Sequence, residues 1–152
     1  MLKYVETKVV FREIPNEITL AINISRCPCH CKSCHSSYLA EDIGELLTDE
    51  ALIGLVRNNK GISCLSFMGG DAEPQEINRL AKLLRREFPE LKIAWYSGKQ
   101  VLNEAIQLQN FDFVKLGPYQ EEDGALNSPT TNQRFYKVEQ EQLIDKTFIF
   151  WS

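Results

Sequence analysis

Four of the five cysteines and both histidines of this chain fall within nine residues, Cys27-Pro28-Cys29-His30-Cys31-Lys32-Ser33-Cys34-His35. A stretch that short cannot turn four thiols into one protein core, so such a density of soft donors points to metal coordination. Read as Cys27-x3-Cys31-x2-Cys34, it offers three thiolates on a tight loop free to wrap one cuboidal iron-sulfur cluster. A four-iron cluster normally takes four cysteines, so three leave one iron open to a small ligand carrying amine and carboxylate groups. Other chemistries use the same residues. A zinc site would draw on Cys27, Cys29, Cys31 and Cys34 or a histidine. A ferredoxin-like electron carrier would need a fourth ligand from Cys29 or Cys64. Cys31-x2-Cys34 alone would suit a thioredoxin-like pair, which leaves the two upstream cysteines unexplained.

Further along, Gly69-Gly70-Asp71 follows an apolar run, where glycines allow positive φ and close approach of the backbone to a ligand. Asp71 reads equally well as a helix N-cap. Ser97-Gly98 has the look of a strand-end turn, Cys64 of a buried core thiol, and Lys115 falls in a predicted strand with either face open to it.

The elements that must position these residues follow from periodicity. Residues 17–25 alternate, with Ile18, Leu20, Ile22 and Ile24 on one face, which predicts a half-buried strand delivering the chain into the cysteine loop. Before it, Val9-Val10-Phe11 is the best strand core and Pro15-Asn16 a turn. Thr48 is a good N-cap for a helix carrying Leu52, Leu55 and Val56, and 62–68 follows as an apolar strand. That is a βαβ unit. Pro74 opens a second helix running to Pro89, with Ile77, Leu80, Ala81, Leu84 and Phe88 at helical spacing. Strands are expected over 92–96 and 111–116, with a weaker helix over 100–108 between them. A polar loop is expected over 120–131, and short strands over 135–138 and 146–151 with a helical turn between. Parallel strands would gather the cysteine loop, Gly69-Gly70-Asp71, Ser97-Gly98 and Gly117-Pro118 at one sheet edge, where open α/β sheets bind ligands.

Length and composition bound the rest. The 152 residues suit one domain, 1–152, with a core over about 17–118 and a C-terminal extension over 119–152. A hydrophobic fraction of 43% and a charged fraction of 25% are ordinary globular values. A net charge of −4 argues against nonspecific nucleic-acid binding. No signal peptide or membrane span is visible, so a cytoplasmic protein is expected.

The cysteine spacing, together with Met68-Gly69-Gly70-Asp71 and Asn132-Gln133-Arg134, resembles the radical SAM enzymes and in particular the activating proteins of anaerobic ribonucleoside-triphosphate reductase. The resemblance covers about Glu17 to Val138. It implies an α/β fold, an open partial (βα) barrel with a mostly parallel sheet, and a [4Fe-4S] cluster on Cys27, Cys31 and Cys34. It further implies S-adenosylmethionine (SAM) held near Ser33, Cys34, His35, Gly69, Gly70, Asp71 and Ser97, with Cys29 a bystander. The activity implied is reductive cleavage of SAM to install a glycyl radical on the reductase, or alternatively on another glycyl-radical enzyme, with an electron donor such as flavodoxin or ferredoxin. Ser33 stands where the family commonly has an aromatic or glycine, and Asp71 where most radical SAM enzymes carry glutamate.

Overall fold

The computed structural model describes residues 2–11, 13–25, 44–118, 120 and 122–151. Eight strands form one sheet: β1 (Lys3–Val10), β2 (Thr19–Ile24), β3 (Glu45–Leu46), β4 (Cys64–Met68), β5 (Lys92–Tyr96), β6 (Phe113–Leu116), β7 (Arg134–Glu139) and β8 (Gln142–Asp145). Their spatial order is β3-β1-β2-β4-β5-β6-β7-β8. The middle strands β2, β4, β5 and β6 are parallel, whereas the flanking pairs are antiparallel. The parallel sheet expected from the βα alternation is therefore the centre of the observed one, and hairpin-like pairings extend it on both sides.

Helix α1 (Asp49–Asn58) starts where Thr48 Oγ1 accepts the Ala51 amide at 3.1 Å, and Asp49 and Glu50 in its first turn complement the dipole. Helix α2 (Pro74–Glu87) has proline in its first turn and buries Ile77, Leu80, Ala81, Leu83 and Leu84. Against them the sheet turns Leu20, Ile22, Ile24, Leu65, Phe67, Ile93, Trp95, Val114 and Leu116, which join both helices in one buried cluster. Near-continuous apolar strands such as β4 and β5 are what a sheet covered on both faces requires. The second face buries Cys64, Ala94 and Phe135 beneath Ile14, Leu126 and Phe150. Phe135 stacks on Phe113 and meets Phe150 edge-on.

Three local expectations are corrected. Residues 100–108 are not a helix: the Ala105 amide is taken by Asn103 Oδ1 and the Gln107 amide by Asn78 Oδ1, both at 2.8 Å, and only a 3₁₀ turn at Leu108–Asn110 remains. Side-chain acceptors have outcompeted the helical ladder. Likewise 146–151 is not a strand. Asp145 Oδ1 accepts the Thr147 amide at 2.9 Å and a 3₁₀ turn follows at Thr147–Phe150, while β8 lies earlier. Between β7 and β8, Gln140 (φ 51°) and Glu141 (φ 60°) make the two-residue hairpin turn that displaces the expected helical turn. The loop 120–131 is tied down: Thr130 Oγ1 donates to the Asp123 carbonyl and Thr131 Oγ1 to that of Gly124, and Leu126 packs on the second face. No helix among the described residues is long and apolar enough to cross a membrane.

Candidate iron-sulfur site

Because β2, β4, β5 and β6 run parallel, their carboxyl ends lie at one edge. There β2 ends at Ile24, and the Ser25 amide bonds to the Lys3 carbonyl at 3.0 Å, anchoring the point from which the chain enters the cysteine segment. Cys27, Cys29, Cys31, Cys34, Ser33 and His35 all fall in 26–43, outside the described residues. What the structure gives is the frame around them.

That frame begins with the turn after β4. Gly69 and Gly70 both have positive φ, 103° and 89°. A Cβ on Gly70 would stand 2.6 Å from Cδ1 of the buried Ile77, so the turn is pressed against α2 and only glycine fits. The Gly69 amide bonds to the Tyr96 carbonyl at 3.0 Å, and Trp95 Nε1 donates to the Gly69 carbonyl at 2.7 Å. Asp71 is not the N-cap of α2, a position taken by Glu73 without a side-chain cap bond. Its carboxylate instead reaches across to the end of β5, where it accepts the Ser97 hydroxyl and, at 2.9 Å, the Gly98 amide. Ser97 is buried, and its oxygen also accepts the Lys99 amide at 3.1 Å.

Lys115, left unassigned between faces by the sequence, points into this edge. The residue is 8% exposed, and its ammonium donates to the carbonyls of Ser97 and Gly117, both at 2.9 Å, and stands 5.6 Å from the Tyr96 ring centre. Gln133 Nε2 donates to the same Gly117 carbonyl at 3.4 Å, and Asn132 Nδ2 to that of Pro118 at 2.9 Å. A hydrogen-bonded chain thus runs from Asp71 through Ser97, Lys115 and the Gly117 carbonyl to Gln133, with Asn132 on the adjoining Pro118 carbonyl. The two polar motifs that the sequence singled out separately are ends of one network. Beside it lies an open cleft of about 590 Å³ lined by Asp71, Pro74, Trp95, Ser97 and residues 99–104.

Tyr96 was missed from the sequence, although strand alternation carries the signal: Ala94 and Tyr96 share a face and pair with Phe113 and Lys115. Its hydroxyl donates to the Glu13 carbonyl, and burial holds the phenol well above its ordinary pKa.

The fifth cysteine bears on the cluster directly. Cys64 opens β4 opposite Thr19, four residues from Met68 and hence about 13 Å down the strand from the ligand edge. It is fully buried, and burial pushes its thiol up to about 12. Burial at the amino end of β4, away from the edge at which β2 leads into the cysteine segment, is what a core thiol requires. Among the described residues no three His, Cys, Asp or Glu side chains converge on a common point. The soft thiols whose chemistry suits an iron-sulfur cluster are those of the cysteine segment that follows β2 in the chain, outside the described residues. One measurable consequence is alkaline. A thiol whose folded pKa is raised contributes stability that is present below its unfolded pKa near 9 and lost as pH rises toward about 12. Wild type is expected to lose up to about 1.4 kcal/mol per pH unit more than Cys64→Ala across that window, read by denaturant unfolding at each pH.

Neither the curated proteins nor the solved structures searched yield a match. The profile of the 4Fe-4S single cluster domain family matches residues 18–139, from the start of β2 to the end of β7. That span takes in the cysteine segment, the Gly69-Gly70-Asp71 turn, Ser97, Lys115 and Asn132-Gln133, so the chain belongs to the 4Fe-4S single cluster domain family.

Proposed function

We propose that this iron-sulfur protein is a radical SAM activase, with Cys27, Cys31 and Cys34 holding three irons of the [4Fe-4S] cluster and the fourth iron left for SAM. The observation that carries the reading is the glycine turn at the carboxyl end of β4, where Gly69 and Gly70 hold positive φ and let main chain approach a ligand closely, while Cys64 lies buried at the other end of that strand. When bound and reduced, the cluster supplies one electron for cleavage of SAM to methionine and a 5′-deoxyadenosyl radical, which takes a hydrogen atom from a glycine of anaerobic ribonucleoside-triphosphate reductase.

The chain's own residues bind and orient. Gly69 and Gly70 offer main chain without side-chain obstruction to the amine end of SAM, with Asp71 and Ser97 beside them, and the resemblance assigns Ser33, Cys34 and His35 to further SAM contacts. In this reading the parallel strands β2, β4, β5 and β6 form the core of a reduced (βα) barrel, flanked by antiparallel strands. The protein substrate completes the water-excluding enclosure, and flavodoxin or ferredoxin supplies the electron. Anaerobic reconstitution, reduction and addition of SAM are expected to yield 5′-deoxyadenosine, with more formed when the reductase is present. A colourless protein carrying one zinc and no acid-labile sulfide sinks the reading.

A further inference from the structure

The acid after the double glycine looks at first like a ligand contact, but its geometry points elsewhere. Both carboxylate oxygens of Asp71 hold donors from the end of β5, the Ser97 hydroxyl on one and the Gly98 amide on the other. Ser97 is itself fixed from three directions. Its hydroxyl oxygen accepts the Lys99 amide, its carbonyl accepts the Lys115 ammonium, and its amide bonds to the Lys115 carbonyl at 2.8 Å. The residue that Asp71 grips therefore belongs to the rigid edge of the sheet. On the other side, Gly69 and Gly70 have no side chains to hold them, and both sit in left-handed backbone that glycine leaves easily. What restrains them is the Gly69 amide on Tyr96, the Trp95 indole on the Gly69 carbonyl, and the Glu73 amide on the Gly70 carbonyl at 3.0 Å.

We propose that Asp71 is a positioning residue: by clamping onto Ser97 and Gly98 it sets the conformation of the Gly69-Gly70 turn, so that the main chain and not the carboxylate meets the ligand. This rests on the functional reading above for the identity of the ligand, SAM, but the clamp itself does not. A carboxylate engaged by a hydroxyl and an amide of the same sheet edge is held in one place, and its removal releases the turn from that edge.

The test compares Asp71→Ala, Ser97→Ala and the double variant in the full chain. Hydrogen exchange is followed at three amides: Gly98, which bonds to Asp71, and Gly69 and Glu73, which report the turn. Each single variant is expected to speed exchange at all three by about tenfold, and the double variant no further, because either change opens the same clamp. Faster exchange at Gly98 alone, with Gly69 and Glu73 unmoved, overturns the proposal. In the reconstituted protein, SAM affinity is expected to fall about equally in both single variants and in the double. A fall in Asp71→Ala that far exceeds that of Ser97→Ala, and that persists in the Ser97→Ala background, makes Asp71 a direct contact and also overturns it. If wild type binds no SAM, the functional reading fails, while the exchange pattern still decides the clamp.

Discussion

Alanine at Cys27, Cys31 or Cys34 is expected to abolish the bound cluster, with iron and acid-labile sulfide falling to a small fraction of wild type, whereas Cys64→Ala keeps full cluster content. The contrast follows from where each sulfur stands. A cluster held by three thiolates has no spare protein ligand, so each loss leaves an iron without its sulfur. Cys64 sits at the amino end of β4, buried and held as a neutral thiol, and its replacement costs packing alone. That cost, of the order of 1–2 kcal/mol for a small buried side chain, shows in thermal unfolding and not in the absorbance of the cluster. Cys29→Ala is the informative intermediate: full retention of iron supports three ligands, and loss equal to that of Cys31→Ala identifies a four-thiol site and removes the open iron on which SAM chemistry depends.

The second large effect falls on Gly70. Gly70→Ala places a methyl 2.6 Å from Cδ1 and 2.9 Å from Cγ1 of Ile77, a side chain with no exposed surface, and asks an L residue to keep φ near 89°. Left-handed backbone costs about 1–2 kcal/mol, and overpacking adds about 1–3 kcal/mol. The sum, about 2–5 kcal/mol, is comparable with a large fraction of a small domain's stability. Gly69→Ala shares the backbone penalty, but the nearest described atom to its methyl is the Ile24 carbonyl at 3.3 Å, so it is expected to be the milder of the two. Denaturant midpoints of the two variants give the comparison. Opening the clash with Ile77→Val in the Gly70→Ala background is expected to recover part of the loss. Should Gly69→Ala prove the more damaging, the packing account is wrong and the turn is limited by strain alone.

Much of the frame was legible from pattern. Alternation over 17–25, the capped helix after Thr48, Pro74 at the start of α2 and the apolar runs at 62–68 and 92–96 each repeat a local preference that the fold keeps, so local and tertiary demands agree there. The misreadings cluster where a single side chain outbids the backbone ladder, at Asn78 and Asn103 for 100–108 and at Asp145 for 146–151. Periodicity reports which face is apolar and is silent about which acceptor an amide will find across 29 residues of chain. The antiparallel flanks were likewise out of reach, since alternation marks a strand but not the direction of its pairing, and β7 meets β6 only across the loop from Gly117 to Gln133.

The sequence by itself determined the chemistry on offer: the crowding of thiols in one short segment needs no fold to be recognised, because ligand type and spacing are local properties of the chain. The glycine pair was also local, since only that residue type tolerates the conformation the turn requires. What tertiary structure alone decided is which polar groups act together. Asp71 and Ser97 are 26 residues apart, and Ser97 and Lys115 18 apart, and only the parallel register brings them within hydrogen-bonding distance at one edge. The same register carries Cys64 to the opposite end, where burial keeps its thiol protonated. Composition cannot separate the fifth cysteine from the other four; distance along the strand and the cost of burying a charge do.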